Sequence, residues 1–280
     1  MTEEEILNNY KKYDSKSELI KIFVSYIRPS FLFKSEILTP IHLGRDIAQE
    51  PSKDGKISDE DLRWLYDNCI GDNDFKENIS SDNRRVGFLT GTYWAWKNYE
   101  KLGNPEYFGS FGYRRLLNPE FLENLEKYDL ILPTKKDFKI ETIKEQFSSY
   151  HGEKLYNNTL KVFEKLYPDE IKNLENCFNG TSGYFDELYV MKKDLFFEFC
   201  EWIFPLLFEY LKQPQIILKN NDLRDVGFII ERLSGYYCEK LTQNPKIKFL
   251  ETEIITSEKL VVNKKNLNKD LLAKLRQKIK

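Results

Sequence analysis

Residues 19–27, LIKIFVSYI, constrain the fold of this chain more than any other stretch. Apolar side chains stand at both parities of the run, so a strand here needs cover on both faces, as in the centre of a parallel sheet with helices above and below. The chain can supply that cover. Of its 280 residues 41% are hydrophobic, including 20 Phe and 17 Tyr, and 31% are charged, which is a globular balance and not a disordered one. Residues 195–211 are the longest strongly apolar stretch, but Glu198, Glu201 and Glu209 make it too charged to span a bilayer.

Helix and strand signals alternate through the remainder. A polar helical leader is expected over 1–18, and a helix over 58–69, where Ser58 and Asp61 form an approximate capping box. Residues 71–85, dense in Asp, Asn and Ser, read as loop, and 86–103 as a helix closed by Gly103. Strands are expected at 107–112, 128–133, 184–193 and 246–255. Further helices are expected at 138–150, 153–176, 194–213 with a bend near Pro205, and 225–243. This order predicts a three-layer α/β/α, Rossmann-like domain over 1–255 with a mixed, mainly parallel sheet, and no Gly/Ser-rich linker marks a second domain. Ligands bind beyond the carboxyl ends of such strands, which directs attention to the loops after 27, 112, 133 and 192.

Several classes are disfavoured. A net charge of −2 argues against general nucleic-acid binding, and neither a G-x-G-x-x-G, a P-loop nor a G-x-S-x-G motif is present. His42 and His151 stand far apart without an H-E-x-x-H, so a histidine-rich metal site is not expected. Cys69, Cys177, Cys200 and Cys238 lack C-x-x-C spacing, and the opening MTEEEILNNYKKYD lacks a secretory signal's basic start and apolar core; both point to a reducing cytoplasm. From 264 onward seven basic residues face one acidic one, and Leu267, Leu271, Leu275 and Ile279 recur at helical spacing. Residues 256–280 therefore read as a basic amphipathic helix, either packed on the domain or lying on the anionic cytoplasmic face of a membrane.

The chemistry-bearing candidates are cationic and acidic. In YFGSFGYRRLL, residues 107–117, Arg114 and Arg115 follow a strand rich in small residues. Arginine there can pair with surface carboxylates, or the guanidinium forks can clamp a diphosphate. Acidic residues cluster as Asp72 and Asp74 in GDND, Asp186 and Glu187 in FDEL, and Glu231 in GFIIERL. Glu231 and Arg232, adjacent on a helix, point about 100° apart: either one faces a cleft while the other ties the helix to the body, or both are ordinary buried residues satisfying each other's neighbours.

Taken in order, IKIFVSYIRPSFLFKSEILTPIHLGR, GDNDFKENIS, TGTYWAWKN, YFGSFGYRR, DLILP, LYVMKKDLFFEFCEWIFPLLFE and GFIIERL resemble a bacterial family of capsular and exopolysaccharide loci. That family carries a domain-of-unknown-function label and is regarded as glycosyltransferases; the resemblance runs from about 20 to 255. It implies a GT-A-like fold and transfer of a sugar from a nucleotide diphosphate donor, of uridine type, to a glycan or lipid-linked glycan acceptor, with no tightly bound cofactor. Ser25, Tyr26 and Arg28 would then lie near the nucleotide, with Asp72, Asn73, Asn78 and Ser80 lining the same pocket. Tyr113, Arg114 and Arg115 would hold the diphosphate where related folds carry a metal-binding D-x-D. Asp72 and Asp74 are the remaining candidates for a magnesium or manganese ion. Glu231 is the expected base, backed by Asp186 or Glu187, while Trp94, Trp96 and His151 are candidates for contact with the sugar or acceptor. Gly112 departs from the family pattern, which has His there. The resemblance leaves room for a nucleotide-sugar-binding protein without catalysis, and the α/β order for a nucleotidyltransferase.

Overall fold

The structure, a computed structural model, describes residues 1–52 and 55–256. The basic segment with its expected amphipathic helix lies outside the described residues, apart from its first residue. Strands β1 (Ile20–Tyr26), β2 (Leu38–His42), β3 (Ile70–Gly71) and β4 (Tyr107–Gly112) lie in the first half of the chain. β5 (Leu116–Leu117), β6 (Leu130–Pro133), β7 (Lys136–Asp137), β8 (Ser182–Gly183), β9 (Tyr189–Lys192), β10 (Phe249–Thr252) and β11 (Ile254–Ile255) follow. Seven of them form one sheet in the order β10-β6-β9-β4-β1-β2-β3, while β5 pairs with β11 and β7 with β8. Every neighbouring pair in the large sheet is parallel except the two made by β9, which runs against β4 and β6. The sheet is thus mixed and mainly parallel.

The alternation hidden in LIKIFVSYI becomes visible in the packing. Ile22 and Val24 share one apolar cluster with Tyr107, Phe111, Ile131 and Val190, whereas Phe23 joins Phe108, Leu130, Leu132 and Met191 on the opposite face. The first cluster is covered by α1 (Glu3–Lys11), α2 (Asp59–Asn68) and the 3-10 segment Pro119–Lys127. The second is covered by α4 (Leu89–Lys97), α5 (Ile143–His151), α6 (Glu153–Leu166), α7 (Ile171–Asn179), α8 (Lys193–Leu211) and α9 (Asp225–Thr242). A short α3 (Asn83–Val86) precedes α4. Two helical layers around the sheet make the fold three-layered α/β.

Several expected boundaries shift, each for a local reason. Residues 86–103 are not one helix, because Gly87 at φ +69° separates α3 from α4 and a 3-10 turn replaces the last part. Residues 71–85 contain α3 and a 3-10 turn, and Pro168 divides the expected 153–176 helix into α6 and α7. The strand at 38–42 gives no clear signal because Pro40 interrupts it. Leu43 N–H and Ile22 N–H bond across β1 and β2, so Pro40 turns its missing donor away from β1, toward a side where β3 pairs only Ile41 and His42. α8 continues through Pro205, which lies on its exposed side.

The antiparallel β9 also corrects which of its ends matters. The loop after Lys192 lies at the amino edge of the parallel strands, and the segment before Tyr189, carrying Asp186 and Glu187, lies at the carboxyl edge.

Candidate active site

Four turns converge on the carboxyl edge, following Tyr26, His42, Gly71 and Gly112, and α9 and the 184–188 segment close one side. The turn after β4 is tight: Arg115 N–H donates to the Gly112 carbonyl at 2.9 Å, which separates the two arginines. Arg114 is exposed, and its guanidinium carbon lies 5.0 Å above the Tyr113 ring, which stacks on Tyr26 at 5.2 Å and 14°. Tyr26 is itself pinned, because its hydroxyl donates to the Phe31 carbonyl at 2.9 Å and accepts from Phe33 N–H at 2.8 Å. No ion pair with Arg114 is found among the described residues. Arg115 instead pairs with the Asp186 carboxylate.

Behind Arg115 lies a carboxyl group of three. Asp186 and Glu187 both adopt left-handed backbone, φ 72° and 50°, an expensive conformation for consecutive non-glycine residues that is typical of functional segments. Asp186 N–H donates to Glu231 Oε1 at 3.1 Å, and Glu231 Oε2 accepts from Arg232. The adjacent pair therefore meets directly, although neighbours on a helix point about 100° apart. Arg232 is only 7% exposed; it also donates to Gln146 Oε1 at 2.9 Å and packs against Phe147 and Phe185. Burial raises the Asp186 pKa, opposed by Arg115 and reinforced by Glu231. For Glu187 the rise is larger: its carboxyl end is buried, Oε1 has no protein partner, and Glu231 and Asp186 add repulsion. Of the three acids, Glu231 and Asp186 keep partial access to solvent, with side chains 23% and 28% exposed.

α9 can approach this segment only because residue 235 is glycine. A Cβ there would sit 2.3 Å from the Tyr184 carbonyl oxygen, and one at Gly227 would meet the Val86 carbonyl at 3.0 Å. Gln146 and Gly235 carry no signal in the linear motifs; the two glycines eight positions apart in a helix are the one trace of close packing.

Glu187 yields a direct test. At about pH 8, Glu187→Gln is expected to stabilise the fold, because on folding the carboxyl must either give up its charge or keep it buried beside Asp186 and Glu231, whereas glutamine is neutral in both states. Because the folded carboxyl has a pKa above its unfolded value, the native protein gains stability as pH falls through that raised value, so the advantage of Gln shrinks toward about pH 5. Thermal melts of both proteins across this range read the difference, and a gap independent of pH would sink the expectation.

Several of the other candidate residues make contacts within the protein. Asp72 is fully buried, and its carboxylate accepts Gly44 N–H at 2.6 Å, Arg45 N–H at 3.1 Å and the Ser80 hydroxyl. It holds the β2 turn against the 72–80 loop, with burial raising its pKa and these bonds opposing the rise. Asp74 accepts Gly71 N–H at 2.7 Å and lies 3.6 Å from Arg45, Asn73 donates to Asp46 at 2.6 Å, and Asn78 Oδ1 accepts Ser80 N–H at 3.1 Å. These contacts leave Asp72 and Asp74 poorly disposed to share a cation, and no group of three metal-binding side chains occurs among the described residues. Trp94 is 2% exposed, set between Phe23 and Phe75 and bonded to the Asp74 carbonyl. Trp96 stacks on Phe204 of α8 at 5.3 Å. Trp94 is thus core, while Trp96 is half-buried against α8. His151 stacks on Phe228 at 3.9 Å beside the acid group, and burial and Arg232 lower its pKa to about 4. Ser25 is buried and Arg28 exposed, at and just beyond the end of β1. Gly112 faces Phe88, whose ring carbons would lie 3.4 Å from a Cβ at that position. A groove of about 780 Å³ lies at the opposite, amino edge of the sheet, lined by Leu19, Glu106, Lys192 and neighbours, away from all of these residues.

Comparison with known proteins bears on this arrangement. The apo structure of WbbM, a bifunctional glycosyltransferase, shares the fold with a TM-score of 0.69 at 24% identity, over 86% of this chain and 45% of that one. The present chain thus spans less than half the length of that protein. No curated protein matches. No helix among the described residues is long and apolar enough to cross a membrane. A family model described as a domain of unknown function, DUF4422, matches residues 21–244, which take in β1, the arginine turn, the Asp186–Glu187 segment and Glu231. With most of its length and the whole carboxyl-edge cluster inside that match, the chain belongs to the DUF4422 family.

Proposed function

We propose that this protein is a glycosyltransferase that moves a sugar from a nucleotide diphosphate donor, of uridine type, to a glycan acceptor of a capsular polysaccharide or exopolysaccharide. The observation that carries the reading is the exposed Arg114, without an ion-pair partner among the described residues, one residue from Arg115 and its three-carboxyl neighbourhood. The fold shared with a bifunctional glycosyltransferase supports it. Glycosyl transfer must neutralise the departing diphosphate and, where the anomeric centre inverts, remove a proton from the acceptor hydroxyl. Arg114 supplies a permanent positive charge with a planar donor fork for the first task. Glu231, partly exposed and held by Arg232 and the Asp186 amide, is the carboxylate for the second. The basic segment from 264 would bring the enzyme to an anionic, cytoplasmic membrane face where a lipid-linked acceptor resides.

The test is incubation with a panel of nucleotide sugars and glycan acceptors, with and without anionic vesicles, following nucleotide diphosphate release and product. Absence of transfer, donor hydrolysis and nucleotide binding would sink the reading. Arg114→Ala is expected to weaken uridine diphosphate binding about tenfold to a hundredfold, the worth of charge-assisted hydrogen bonds, while the melting temperature stays put because the side chain is exposed. Unchanged affinity would remove Arg114 from the donor site. A second reading, a nucleotide-sugar-binding protein without turnover, is favoured by Gly112, where the resemblance leads one to expect histidine; nucleotide binding without transfer across the panel would select it.

A further inference from the structure

Arg115 stands between two kinds of anion. Its guanidinium pairs with Asp186, and the two side chains are 42% and 28% exposed, so an incoming anion can reach both. Arg114, its neighbour, is exposed on the same turn. Asp186 sits in crowded anionic company: its amide is on Glu231, and Glu187 lies beside both with an unpartnered, buried Oε1. The charged groups facing the three acids come from four elements. They are Arg115 after β4, Lys136 on β7, Arg232 on α9 and, at the end of α5, His151, which is uncharged near neutral pH. Among the cations that act on Asp186, Arg115 has the strongest effect. Gly235 seats α9 directly against Tyr184, two residues before Asp186, which holds the backbones carrying the acids close together.

We propose that Arg115 changes partner when the donor binds, leaving Asp186 for the diphosphate, and that the Asp186–Glu187–Glu231 group takes up a proton as it does so. This rests on the donor-binding reading above. In the empty site the charge of Arg115 is spent on Asp186. Once a diphosphate takes that charge, three carboxyls remain with Arg232 and Lys136, and closely spaced carboxylates cannot all stay ionised in a partly buried site. The proton comes from solvent, no covalent bond forms or breaks, and release of the nucleotide reverses the exchange. The consequence for the site is chemical. The group as a whole loses one negative charge beside the phosphates, which a fully ionised set of carboxylates would repel.

The experiment is calorimetric titration of the full chain with uridine diphosphate, and in parallel guanosine diphosphate, in buffers of equal pH near 7 but different heats of ionisation. The terminal phosphate of the nucleotide also titrates, so native protein is compared with Asp186→Asn, which lacks the carboxylate that loses Arg115 when the nucleotide binds. The native protein is expected to take up a larger fraction of a proton than the variant, and its affinity is expected to rise several-fold more steeply between pH 8 and 6. Arg115→Gln should match Asp186→Asn in proton count, because its carboxyls already hold the proton before nucleotide arrives; this second variant keeps the test open if Asp186→Asn folds poorly. Nucleotide binding with equal proton counts in native protein and variants would overturn the exchange and leave the donor reading standing. Binding of neither nucleotide would overturn both.

Discussion

Glu231→Gln is expected to lower the rate of sugar transfer by about a hundredfold to ten-thousandfold, the range found when a positioned proton acceptor is lost. Nucleotide affinity is expected to change far less than the rate. Glutamine preserves the length of the side chain and its oxygen can still accept from Asp186 N–H, now 3.1 Å from Glu231 Oε1, but it cannot take a proton from an acceptor hydroxyl. It also leaves Arg232, 7% exposed, without its counter-charge. A lower melting temperature is therefore expected, and rates must be compared well below it. Steady-state transfer alongside calorimetric nucleotide binding separates the outcomes: a retained rate would exclude Glu231 as the base, and a loss of binding equal to the loss of rate would make it a binding residue.

Arg85→Ala is expected to destabilise the fold by about 3–5 kcal/mol, as happens when one member of a buried ion pair is removed. Asp225 has a side chain 3% exposed and is held bidentately, with Arg85 Nε at 3.0 Å and a terminal nitrogen at 2.9 Å. The same guanidinium donates to the Leu211 carbonyl at 3.1 Å, and Asp225 also accepts Ile216 N–H at 2.8 Å. One pair thus fastens α3, the exit of α8 and the first residue of α9, the helix that carries Glu231. Urea denaturation of Arg85→Ala, Asp225→Ala and the double variant checks this. The double variant should be less destabilised than the sum of the singles, because no unpaired charge is left buried, and additive costs would show that the two side chains act separately.

Much of the frame was legible before any coordinates. LIKIFVSYI demanded cover on both faces, and two apolar clusters provide it; the Ser58 cap forms, with Asp61 N–H donating to its hydroxyl at 3.0 Å. The site was legible in its ingredients and less so in their allegiances. Arg114 and Arg115 read alike in sequence, yet a tight turn leaves one exposed over Tyr113 and hands the other to Asp186. Asp72 reads as a ligand-binding acid in GDND, but its oxygens face the Gly44 and Arg45 amides, an arrangement that depends on β2 and β3 lying side by side. Pro40 concealed β2 for the same reason: whether a missing N–H matters depends on which neighbour it would have faced.

What the amino-acid sequence determined by itself is therefore local and periodic: which segments are helix or strand, that the sheet is buried on both faces, and which charged residues stand at its ends. Only the tertiary structure decided that β9 runs backwards, which carries Asp186 and Glu187 to the carboxyl edge, and that Gly235 lets α9 deliver Glu231 and Arg232 to meet them. Strand direction and helix approach are set by contacts between residues far apart in the chain, and the charge a carboxyl carries there depends on burial and neighbours that no linear motif contains.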